Sequence, residues 1–88
     1  MPRIMYVEDE PAARLLVQRI LKAEGYEVIV VEDGLTAIEV ARRERPDLIL
    51  MDINMPELDG YATTTKLKSL PEMHDVPIIA LTANVVEG

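Results

Sequence analysis

The sequence predicts an α/β fold built on a doubly wound parallel sheet. Two observations support this: short apolar runs recur between stretches with helical periodicity, and the runs are continuous rather than alternating, as expected of strands covered on both faces. The connections are long enough for right-handed crossovers between parallel strands.

The first run, Arg3 to Val7, ends in the acids Glu8, Asp9 and Glu10, which suits a buried strand emerging at a sheet rim. Pro11 is well placed at a helix start, with Asp9 or Glu10 as its cap. Ala13, Leu16, Val17 and Ile20 then recur at helical spacing until Gly25 closes the helix. Glu27 to Val31 is a second strand, and Asp33-Gly34 turns into a second helix holding Leu35, Ile38 and Ala41, which Pro46 ends. Leu48 to Met51 is a third buried run, followed by a loop from Ile53 to Gly60 in which Pro56 favours an extended Met55. Tyr61 to Leu70 reads as a weaker helix because three consecutive threonines are poor helix formers. A surface loop from Pro71 to Asp75 leads to a fourth run, Pro77 to Leu81. No internal repeat, low-complexity tract or linker interrupts the chain, so 1–88 reads as one small domain or a piece of one.

Composition narrows the function. With 49% hydrophobic and 28% charged residues the 88-residue chain is an ordinary globular sequence, and cytoplasmic placement is expected. Sixteen acids against nine Lys and Arg give a net charge of −7, which disfavours direct contact with nucleic acid or an anionic membrane surface. No cysteine is present, which excludes disulfides, thiolate metal ligands and thiol nucleophiles. The N-terminus has no signal-peptide pattern, and the apolar runs are too short to span a bilayer.

In a parallel doubly wound sheet, residues just beyond the strands' carboxyl ends gather on one rim, where ligands bind. Here those residues are Glu8, Asp9, Asp52 and Thr82. Clustered carboxylates repel, so a cation or a proton has to be supplied. An all-oxygen site without His or Cys suits a hard divalent ion such as Mg²⁺, which keeps waters and accepts phosphate oxygens. Such a site points to phosphoryl chemistry, with Asp52 as the acceptor carboxylate. Taken alone, Glu8 and Asp9 read about as well as an acidic turn capping the first helix, whereas Asp52, directly after a buried run at a rim, is harder to read as a cap. It is their shared register that favours a site. His74, the single histidine, reads as a surface-loop residue; Met51, Met55 and Met73 read as packing or loop residues, and Tyr6 and Tyr26 as packing against the sheet.

The stretches "YVEDEP", "LILMDINMPELDG" and "PIIALTA" together resemble the receiver domain of two-component response regulators, from Ile4 to Glu87. The resemblance implies a flavodoxin-like receiver fold with sheet order 2-1-3-4-5, of which this sequence holds four strands, order 2-1-3-4, and three helices. It implies that Glu8 and Asp9 are the acidic pair holding Mg²⁺, with Glu in place of the commoner Asp at the first position. It further implies Asp52 as phosphoacceptor from a histidine kinase or histidine phosphotransfer protein, and metal ligation by the backbone carbonyl of Asn54. Thr82 matches the hydroxyl that bonds the phosphoryl group, Ala83 the small residue beside it, and Met55, Pro56, Asp59 and Gly60 the loop shaping the rim. The module so described is a signalling switch and not an enzyme.

Receivers continue through a fourth helix, a fifth strand ending in a lysine, and a fifth helix, so the sequence reads as C-terminally incomplete. Lys66 and Lys68 lie on the third helix, and neither is assumed to replace that lysine. A rival expectation follows: a truncated or engineered receiver fragment that folds or self-associates through the open edge of its fourth strand without phosphosignalling. A third reading, a phosphohydrolase of the haloacid dehalogenase type, needs a second aspartate two residues after the nucleophile, where this chain has Asn54.

Overall fold

The computed structural model describes residues 2–52 and 60–81, apart from the side chains of Gly60 and Tyr61. The strands are β1 (Arg3–Val7), β2 (Glu27–Val31), β3 (Leu48–Asp52) and β4 (Ile78–Leu81), and the helices are α1 (Pro11–Ala23), α2 (Gly34–Glu44) and α3 (Gly60–Ser69). All pairings are parallel and the sheet order is β2-β1-β3-β4, as the resemblance implies.

Local chemistry sets the boundaries. The Glu10 side chain accepts from Ala12 N–H to cap α1, and Pro11 follows with its preset φ. Past its end, Gly25 adopts φ +95°, a backbone that an L side chain rarely takes. Asp33 caps α2 by accepting from Thr36 N–H at 2.7 Å. Arg45 ends α2 in the left-handed region at φ 48°, and Pro46 prevents continuation. The expected surface loop after α3 contains a 3₁₀ turn, Pro71–Met73, that sinks Met73 completely.

The two faces of the sheet differ. Met5, Val7, Val31, Ile49 and Met51 pack with Ala37, Val40 and Ala41 of α2, Leu67 of α3 and Met73 into one continuous core. Side chains alternate across a strand, so Ile4, Tyr6, Leu48, Leu50 and Ile79 face the other side, where α1 lies. There α1 rests on β2, and Leu16 and Ile20, expected to point inward, are 60% and 53% exposed. Leu35 also departs from expectation: at 72% exposed it lies outside the core, because α2 turns its small residues Ala37 and Ala41 to the sheet and so sits close to it. Of the two tyrosines expected to pack against the sheet, Tyr6 is buried and Tyr26 is 37% exposed.

Candidate functional site

β1 and β3 are adjacent and parallel, with Val7 opposite Met51, so their carboxyl ends deliver Glu8 and Asp52 side by side. Asp9 follows in the turn to α1. One carboxylate oxygen from each of Glu8, Asp9 and Asp52 lies within 4.8 Å of the others. Asp9 is exposed, but Glu8 and Asp52 are largely buried. Asp52 is not beyond its strand, as the apolar run suggests, but is the last residue of β3, paired with Leu81.

Glu8 is held from several directions. Its Oε1 accepts from the Tyr6 hydroxyl at 2.9 Å, and its Oε2 accepts from Glu10 N–H at 3.1 Å. Its backbone carbonyl accepts from Arg14 Nη1 at 3.0 Å, and its own N–H donates to Val31 O at 3.0 Å. Burial raises the Glu8 carboxyl above its ordinary value of 4.5; the hydrogen bond to Asp52 and that residue's charge push the same way, while the Glu10 N–H and Tyr6 hydroxyl oppose them. The sign follows: a raised folded value gives a stabilisation that is full below 4.5 and lost as pH rises through the folded value. Burial and the neighbouring Asp52 thus both disfavour the ionised form of Glu8. Burial also raises the Tyr6 hydroxyl above its ordinary value, followed by its hydrogen bond to Glu8 and the charges of Glu8 and Asp52, so it stays a neutral donor.

This donor set fits a hard divalent cation: it is all oxygen, convergent, and charged in excess of what burial favours. Of the other residues singled out in the sequence, Asn54, Met55, Pro56, Asp59, Thr82 and Ala83 lie outside the described residues, and Gly60 begins α3. His74 sits in the surface turn, exposed and 3.2 Å from Asp75. Lys68 Nζ donates to the Val76 carbonyl at 2.8 Å, which ties the turn before β4 to α3. Two residues at the site were not anticipated: Tyr6, read only as packing, and Arg14, which also lies 3.9 Å from Glu32. The i, i+2 spacing of Tyr6 and Glu8 on one strand face was the available signal for the first.

Comparison with known proteins agrees with this architecture. The polar-differentiation response regulator DivK of Brucella anthropi is 44% identical over 89 residues, covering 100% of this chain and 72% of that protein. The receiver domain of a sensor histidine kinase from Pseudomonas aeruginosa PAO1, solved with a magnesium ion coordinated in its active site cleft, superposes with a TM-score of 0.91 at 42% identity, over 99% of this chain and 71% of that one. A chain in the complex of histidine kinase ThkA with response regulator protein TrrA superposes with a TM-score of 0.88 at 35% identity, over 98% of this chain and 72% of its own length. The model of the response regulator receiver domain matches residues 4–87, and the chain belongs to that family.

Proposed function

We propose that this chain is the phosphoacceptor module of a two-component phosphorelay, receiving a phosphoryl group on Asp52 from a phosphohistidine of a kinase or phosphotransfer partner, with Mg²⁺. The observation that supports this most directly is the convergence of Glu8, Asp9 and Asp52 within 4.8 Å at the end of two adjacent parallel strands. In the transfer, a carboxylate oxygen of Asp52 forms a bond to phosphorus as the phosphorus–nitrogen bond breaks, and the histidine nitrogen keeps the electron pair. Glu8, Asp9 and Asp52 would hold the cation together with the Asn54 carbonyl. When bound, Mg²⁺ neutralises phosphoryl oxygens and offsets the clustered carboxylates. By family position, Thr82 bonds the transferred group, Ala83 leaves it room, and Met55, Pro56, Asp59 and Gly60 shape the rim. Leu15 and Leu16, exposed at 50% and 60% on α1 just beyond the acidic turn, supply an apolar surface on which a partner could dock. The product is a modified switch rather than a turned-over substrate.

The test is incubation with acetyl phosphate and Mg²⁺, followed by intact-mass measurement. A gain of one phosphoryl group, labile to hydroxylamine and lost in Asp52→Asn, is expected. The variant should melt no lower than the parent without metal, since it removes a charge from a crowded cluster. No gain in the parent, or an equal gain in a folded Asp52→Asn, overturns the proposal.

A further inference from the structure

A glutamate ligand has one more rotatable bond than an aspartate, so holding its carboxylate in a single pose costs more conformational entropy. In this chain that carboxylate is already fixed at both oxygens, by the Tyr6 hydroxyl at 2.9 Å and by Glu10 N–H at 3.1 Å. Its main chain is pinned as well, through Arg14 Nη1 at 3.0 Å. Tyr6 is only 3% exposed, its ring held on the α1 side of the sheet, so its hydroxyl is delivered by a rigid strand and not by a mobile loop.

We propose that Tyr6 is a positioning residue for the divalent cation, acting through Glu8: the pair is matched in length, with the tyrosine hydroxyl orienting a glutamate that is one methylene longer than an aspartate. This rests on the cation site proposed above. A second-sphere donor that fixes a ligand before the cation arrives raises affinity without touching the cation. Shortening residue 8 draws its carboxylate away from the Tyr6 hydroxyl and removes the coupling. Tyr6 then becomes a packing residue only, and a phenylalanine serves there equally well.

That difference makes a double-mutant cycle decisive. Mg²⁺ affinity is measured by titration calorimetry on the unphosphorylated protein and on Tyr6→Phe, Glu8→Asp and the double variant, with urea unfolding of each. Tyr6→Phe is expected to weaken Mg²⁺ binding on the order of 10-fold when Glu8 is present, and by less than about 2-fold in the E8D background. Equal weakening in both backgrounds, or none in either, overturns the role of Tyr6 while leaving the cation site standing. Absence of Mg²⁺ binding to the parent chain overturns the site and the positioning role together.

Discussion

Asp33 takes the extended backbone of an N-cap, and its carboxylate accepts from the Thr36 amide in the first turn of α2. The hydrogen bond from Thr36 N–H holds its carboxyl below the ordinary value of 3.8, with smaller help from the Thr36 side chain and the Leu35 amide. A depressed folded value means a contribution present above 3.8 and lost as pH falls through the folded value. Asp33→Ala is therefore expected to cost about 1 kcal/mol at neutral pH and less in acid, whereas Asp33→Asn should track the parent at neutral pH and keep its cap in acid. Urea unfolding at neutral and acid pH checks this, and a cost independent of pH would exclude a titrating cap. The Asp-Gly signal made this residue legible in the sequence. The Tyr6 hydroxyl was not, because apolar patterning reports that a side chain is buried and says nothing of what its polar tip meets. The same limit hid Arg14, which reads as an ordinary polar residue on a helix but reaches back to the Glu8 carbonyl.

At the scale of elements, α3 forms although its threonines argue against it. Thr63 and Leu67, four residues apart and both fully buried, explain why: packing of one stripe on the core outweighs a propensity deficit of a few tenths of a kcal/mol per residue. Leu67→Ala is accordingly expected to cost about 2–5 kcal/mol, and Thr64→Ala, off the fully buried stripe, to be neutral or stabilising by less than about 0.5 kcal/mol. Chemical denaturation orders the two, and a Leu67→Ala cost below about 1 kcal/mol would mean that α3 is held by something else. Met73, which the sequence left open between a packing and a loop residue, is decided only by the fold. A Pro-rich polar stretch reads as surface loop, yet its 3₁₀ turn sends one methionine to the bottom of the core. The existence and order of the strands were legible because each is a continuous apolar run. The inward face of α2 was legible at Ile38 and Ala41 but misread at Leu35, because a reading by hydrophobicity counts a large exposed leucine ahead of the small buried Ala37.

Across the whole molecule the packing is lopsided: α2 and α3 seal one face of the sheet, while α1 rests on β2 and leaves Ile79 48% exposed on the other face. Among the described residues β4 is an edge strand, and its sequence, Ile-Ile-Ala-Leu, has none of the charges or prolines that usually deter edge pairing. Self-association through this edge is the expected consequence, opposed by mutual repulsion of chains that each carry a net charge of −7. The two effects can be separated. Salt screens the repulsion over a Debye length of about 10 Å at 0.1 M, so added salt should promote association. Ile79→Lys makes the chain less negative, which by charge alone would also promote association, but it places a cation on the apolar edge. A fall in the light-scattering mass for Ile79→Lys, together with a rise for the parent on adding salt, would therefore assign the contact to the apolar surface of β4 around Ile79. A parent chain that stays monomeric as concentration and salt increase would show that the β4 edge is closed in solution.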